Sequence, residues 1–384
     1  MIVRRFLVVG CAFGAAVAAC SAEQVEPPGP GVAGSTPVAG AAQGGSAMTG
    51  ASGATAVSGT SPGGSPSSGG TASAGAAGTV TAGSGGAGSN AGGAAGSAGM
   101  SAAGSGGNTG SGGNMADLPL KNPPVLSGGC GKASTVTSGK KTIMSTGQAR
   151  TYIIDVPSNY DMNKPYRLFY TSHWIGSTSE AVQQQNFYFL KPLANAANEP
   201  AIFVAPQSDG STWQQKDHAL FDDILAYVKE NLCIDTTRVF ATGFSFGGMI
   251  TYSLSVNHQK DIRAAVGIAP ANYNIYLPQK THQPIAWMQT TGMSDGTCPW
   301  VNNGSTTQGS KYIAIEHGTD NGCTVPDPIP TWTQGNHVCV DFSGCKASYP
   351  TKVCTFNGGH TNIANDAGGD NWIPQESWKF FTQF

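Results

Sequence analysis

Apolar and polar positions divide the chain into two unlike parts. From Leu118 onward, short apolar runs alternate with stretches of helical spacing. Tyr166 to Thr171, Ala201 to Ala205, Arg238 to Thr242, Ala264 to Ala269 and Pro284 to Thr290 are rich in β-branched or aromatic residues and bounded by turn formers, which predicts buried strands. Leu220, Phe221, Ile224, Leu225, Val228 and Leu232 recur at helical spacing between two of them. A further strand is expected near Lys352 to Phe356. The last helix is expected from about Pro374, where a first-turn proline costs no hydrogen bond, through Trp378, Phe380 and Phe381. This alternation predicts a mainly parallel central sheet with helices on both faces.

Ahead of Leu118 the pattern disappears. Pro27 to Ala116 carries no charged residue and consists almost wholly of Gly, Ala, Ser, Thr and a few Pro. Such a segment buries too little apolar surface to offset the entropy of ordering it, so a flexible spacer is expected. The composition of the whole chain, with 54 Gly in 384 residues and 11% charged residues, averages over these two parts. One folded domain at 118–384 is expected, preceded by a linker at 20–117 and a signal segment at 1–19.

The signal reading rests on Arg4 and Arg5 ahead of an apolar run from Phe6 to Ala19. That run falls short of the roughly 20 apolar residues of a membrane-spanning helix. The ending Val17-Ala18-Ala19-Cys20 resembles the bacterial lipoprotein signal, which implies cleavage before Cys20 and acylation of its thiol. Anchorage at a bacterial cell surface or outer membrane follows as an expectation, with simple cleavage and release as the alternative. The net charge of −2 and scattered Lys and Arg provide no field for nucleic acid phosphates. Seven cysteines follow Cys20, and in an exported chain disulfides are expected, with one cysteine left over. There is no C-x-x-C pair, so zinc-ribbon and thioredoxin readings lack their motif, and no metal or organic cofactor is expected.

The strongest chemical signal is Gly243-Phe244-Ser245-Phe246-Gly247-Gly248, directly after the strand Arg238 to Thr242 and before a helix-like run near Met249. A serine on a tight strand-to-helix turn of this kind is lifted clear of the sheet, and its neighbours are crowded enough to require glycine. Serine is a weak nucleophile by itself, so it needs a base within hydrogen-bond reach and an acid to orient that base. For an α/β-hydrolase fold the chain order is Ser, then Asp or Glu, then His. His360, in Gly358-Gly359-His360-Thr361-Asn362, follows the strand near Lys352 to Phe356 and is the expected base, with His337 as competitor. Asp295 lies just past the strand Pro284 to Thr290 and is the expected acid; Asp320 is the next candidate. The oxyanion requires two converging N–H donors. Phe246, after the serine, fills one place, and Trp174 or Ile175, in the loop Ser172 to Ser177, fills the other.

From about Gly129 to Phe384 the chain resembles the feruloyl esterases of the carbohydrate esterase group that also contains acetylxylan esterases and relatives of polyhydroxybutyrate depolymerases. The residues that carry the likeness include His173-Trp174, Phe203-Val204-Ala205-Pro206-Gln207, Arg238 to Gly248, Asn321-Gly322-Cys323, Ser343-Gly344-Cys345, Gly358-Gly359-His360 and Trp378-Lys379-Phe380-Phe381. The resemblance implies Ser245, Asp295 and His360 as a triad, a place for Trp213 near substrate, and the pairings Cys130 with Cys233 and Cys323 with Cys345. Cys339 and Cys354 are then free to bridge a hairpin, which leaves Cys298 unpaired. The chain departs from the family pattern in Gly176-Ser177, where members commonly carry a second glycine, and in Cys298, which falls in a usually apolar segment.

The expected activity is release of hydroxycinnamic acids from plant cell-wall polysaccharide by a serine esterase. Trp174 and the aromatic residues Phe187, Tyr188 and Phe189 are candidates for a face against the phenolic ring. An acetylxylan esterase or polyester depolymerase uses the same triad with a different acyl pocket. A polysaccharide-binding module without catalysis is the alternative of another class.

Overall fold

The computed structural model describes residues 118–384. The signal segment, Cys20 and the linker lie outside the described residues.

Among the described residues nine strands form one sheet in the order β1-β2-β4-β3-β5-β6-β7-β9-β8. Its middle consists of β3 (Tyr166–Ser172), β4 (Ile202–Pro206), β5 (Ile234–Phe244), β6 (Ala264–Ile268), β7 (Ala286–Gly292) and β9 (Thr351–Phe356), all parallel to one another. β1 (Gly139–Ser145), β2 (Gln148–Asp155) and β8 (Val338–Asp341) pair antiparallel at the two margins. One face carries α3 (Lys216–Asn231) and α4 (Phe246–Ser255), whose Leu220, Phe221, Ile224, Ile250 and Leu254 share a core with Tyr170, Val239 and Ala265. The opposite face carries α1 (Ser179–Gln184), α2 (Leu190–Ala196) and α6 (Trp372–Phe381), where Phe380 and Phe381 pack on Phe169, Phe203 and Phe240. α5 (Ser310–Asp320) leans on β7 and β9. A parallel sheet covered on both faces needs strands that are apolar throughout, and every residue of β4, β6 and β7 is buried.

Differences from the expected elements have local causes. β5 begins at Ile234 because Asp235 Oδ1 takes the N–H and hydroxyl of Thr237 and the N–H of Val125, which satisfies the polar Asp235 to Arg238 stretch inside the sheet. β6 stops at Ile268 because Ala269 turns to φ 46°. β1 is a half-polar margin strand with no apolar run, whereas β2 is polar in its first half and carries the buried Tyr152-Ile153-Ile154 in its second; the hairpin closes through Thr146 and Gly147, both at positive φ, as a two-residue primed turn requires. α6 begins at Trp372, one position after the Asn371 cap, and still holds Pro374 in its first turn.

Among the described residues three disulfides form: Cys130–Cys233, Cys323–Cys345 and Cys339–Cys354, the last across the paired strands β8 and β9. Cys298 is buried and unpaired. No helix among the described residues is long and apolar enough to cross a membrane.

Candidate active site

Parallel strands place three loops at one end of the sheet. β5 runs straight into Ser245, β7 ends three residues before Asp295, and β9 ends four residues before His360. The carboxyl ends of strands in an open α/β sheet are where ligands bind.

Ser245 has φ 57° and ψ −122°, a strained turn held by its own N–H bonding to the Ile268 carbonyl at 2.9 Å. The turn is possible only with bare neighbours. A Cβ on Gly243 would meet the Gly247 carbonyl at 2.4 Å, and one on Gly247 would stand 2.1 Å from the Ser172 oxygen. Backbone on every side leaves nothing to give way.

His360 Nε2 lies 2.6 Å from Ser245 Oγ, and His360 Nδ1 lies 2.8 Å from Asp295 Oδ2. The other carboxylate oxygen of Asp295 accepts the N–H groups of Thr297 at 2.8 Å and Cys298 at 2.7 Å, which fixes the acid with its side chain fully buried. The acid and histidine loops are tied together: Met293 N–H reaches the Phe356 carbonyl at 3.0 Å and Ser294 N–H the Gly358 carbonyl at 2.9 Å. Gly292 has no room for a side chain, since a Cβ would meet the Gly358 oxygen at 2.3 Å. The Phe244 ring sits 4.8 Å from the imidazole and supports it from the side. With Nδ1–H donated to the carboxylate, Nε2 is left to accept the serine proton, the arrangement a serine nucleophile needs.

The loop after β3 abuts the same turn. Ser208 N–H donates to His173 Nε2 at 3.2 Å, so His173 Nδ1 carries its proton and donates to the Trp174 carbonyl at 2.8 Å. Burial pushes the His173 imidazole below its usual range and keeps it neutral. Trp213 is 3% exposed, and its indole N–H donates to the His173 carbonyl at 2.7 Å. This bond fixes the plane of the peptide whose N–H belongs to Trp174. Phe246 opens α4, where its N–H has no acceptor within the helix.

The remaining candidates lie elsewhere. His337 bonds Asp366 at 2.7 Å and stacks on Trp372, 3.9 Å away. Asp320 bonds the exposed His282 at 3.1 Å. Phe187 and Tyr188 are buried at 1% and 2% exposure, with Phe187 stacked on Phe203, so they belong to the core and offer no face to a phenolic ring. Trp174 is half-buried and packs near Phe244. Among the described residues, His282, Glu316 and Asp320 are close enough to share a metal ion, but Lys280 already holds Glu316 at 2.7 Å.

No protein-family model matches the chain. Sequence comparison finds relatives over nearly the whole of their length. A probable feruloyl esterase C of Aspergillus terreus is 34% identical over 263 residues, 67% of this chain and 91% of the relative. Feruloyl esterase C of Emericella nidulans is 32% identical over 263 residues, 66% of this chain and 90% of the relative. Feruloyl esterase D of Neurospora crassa is 29% identical over 285 residues, 70% of this chain and 94% of the relative. With an α/β-hydrolase sheet, a serine on the strained turn after β5 and this likeness across nine-tenths of the relatives' length, the chain belongs to the feruloyl esterase family.

Proposed function

We propose that the protein hydrolyses hydroxycinnamoyl esters of plant cell-wall polysaccharide through an acyl-enzyme on Ser245. The observation that carries this reading is the unbroken hydrogen-bonded series Ser245, His360, Asp295, at 2.6 and 2.8 Å. In the first half, His360 Nε2 takes the Ser245 proton as Oγ attacks the ester carbonyl. The amides of Phe246 and Trp174 hold the oxyanion, and Asp295 stabilises the imidazolium. Collapse breaks the bond to the sugar oxygen, which leaves with the proton from His360. In the second half, water gives its proton to His360 and attacks the acyl carbon; the carboxylic acid departs and the proton returns to Ser245 Oγ. Every proton in the cycle is carried by His360, so no metal has a step to perform.

Comparison of methyl ferulate with 4-nitrophenyl acetate tests the acyl preference. Ferulate release lost in Ser245→Ala supports the reading. Turnover of the acetyl ester alone keeps the nucleophile but favours an acetylxylan-type esterase.

Export with anchorage through Cys20 belongs to the same proposal. It is supported by the Arg4-Arg5 and Phe6 to Cys20 pattern and by three disulfides, which persist in oxidising compartments. Palmitate labelling of the expressed chain, abolished in Cys20→Ala, is the expected result; a label that survives the substitution contradicts it.

A further inference from the structure

Between α1 and α2 the backbone does something rare. Asn186, Phe187, Tyr188 and Phe189 stand at φ 52°, 55°, 57° and 61°, four successive non-glycine residues in the left-handed region. Left-handed residues normally occur singly, because the Cβ is crowded against the following carbonyl oxygen. Strain of this kind persists only where the surroundings hold it, and here it is concentrated beside a reactive site.

The turn reaches two of the loops that build the site. At its centre the buried Tyr188 hydroxyl donates to the Ser172 carbonyl at 2.6 Å. That oxygen is the one that would lie 2.1 Å from a Cβ on Gly247, so Tyr188 holds the backbone at the very point where the Trp174 loop presses on the Ser245 turn. At the start of the turn, Gln185 Oε1 accepts the Asn362 side-chain N–H at 2.8 Å, two residues past His360. A right-handed continuation of α1 would carry Tyr188 to a different face from the one it occupies, because helical residues three apart share a face and the left-handed turn reverses the winding.

We propose that the left-handed turn Asn186–Phe189 is a positioning device for the reaction. In it Tyr188 braces the loop that presents the Trp174 amide and Gln185 braces the loop that presents His360. The inference rests on the esterase reading above and adds two positioning residues to it.

Tyr188→Phe keeps the ring and removes the donor. With 4-nitrophenyl acetate, kcat is expected to fall about tenfold with KM changed less than about twofold, the pattern of an interaction needed only in the transition state. Inhibition by phenylboronic acid, which forms a tetrahedral adduct on Ser245, is expected to weaken by a similar factor, whereas inhibition by ferulate is unchanged. Gln185→Ala, at a partly exposed position, is expected to lower kcat severalfold at unchanged KM. A folded Tyr188→Phe with unaltered kcat and boronate affinity overturns the proposal, as does a loss of activity that merely follows the folded fraction in a thermal melt. If Tyr188→Phe fails to fold, the Gln185→Ala result decides alone, and unchanged kcat there overturns it. Activity that survives Ser245→Ala defeats the esterase reading itself, and so separates the two failures.

Discussion

Asp295 accepts three hydrogen bonds, from His360 and from the amides of Thr297 and Cys298, and each oxygen has a distinct task. Oδ1 anchors the loop and Oδ2 sets the imidazole tautomer. Asp295→Asn keeps the shape but offers His360 Nδ1 a donor where it needs an acceptor. On the proposed mechanism, kcat for 4-nitrophenyl acetate falls by about 10³- to 10⁴-fold while the thermal midpoint moves little. A loss of tenfold or less would remove Asp295 from its role. At this scale the sequence was informative where chemistry demands one residue type in one context: Ser245 between glycines, His360 after a strand, Asp295 past another. It was uninformative about Trp213 and Tyr188. Their contributions are single hydrogen bonds to backbone carbonyls of a loop remote in sequence, and no spacing rule encodes such a contact.

Among the elements, the turn from β5 to α4 depends on glycine for space more than for φ. Gly247→Ala sets a Cβ against two backbone carbonyls, those of Ser172 and His173, neither of which can move without disturbing β3. Loss of several kcal/mol of stability, of the order that severe overpacking imposes, is expected in urea melts, together with loss of activity. A wild-type midpoint would contradict this packing. A second test lies under the β1–β2 hairpin, where Arg150 and Asp217 pair at 2.5 Å with both side chains buried. Asp217→Ala strands the guanidinium and also frees the Gln214 N–H that Asp217 accepts at 2.6 Å, so a cost of about 3–5 kcal/mol is expected. The central strands were legible because a sheet covered on both faces requires continuous apolar runs. β1 was not, because a margin strand with one wet face alternates exposed and partly buried residues and lacks such a run, and β2 was not, because its apolar part is only the three residues Tyr152-Ile153-Ile154 behind a polar first half.

For the whole molecule, stability should depend on both pH and oxidation. Burial pushes His317 and His218 down to about 4. An unfolded chain binds these protons near pH 6.5, so between that pH and about 4 the unfolded state holds more protons and stability falls as the pH is lowered. His317 stacks on Trp287 at 4.4 Å and bonds Ser255 at 3.0 Å. His317→Gln is expected to destabilise the protein at pH 7 yet flatten the slope of unfolding free energy between pH 6.5 and 5; an unaltered slope would contradict this assignment. Among the disulfides, Cys130–Cys233 spans 103 residues against 15 for Cys339–Cys354. Closing the longer loop restricts the unfolded chain more, so removing Cys130–Cys233 should lower the thermal midpoint further. The cysteine pairing was legible only through the family resemblance, since seven cysteines and their spacings leave many connectivities open.

The acyl-enzyme itself is the most direct test of the central claim. Mixing the protein with methyl ferulate, quenching in acid within the first turnover and analysing the digest by mass spectrometry should place a feruloyl group on the peptide that contains Ser245. No such adduct should appear in Ser245→Ala. Turnover of methyl ferulate that persists in Ser245→Ala, or a feruloyl group found on another residue, would contradict the account.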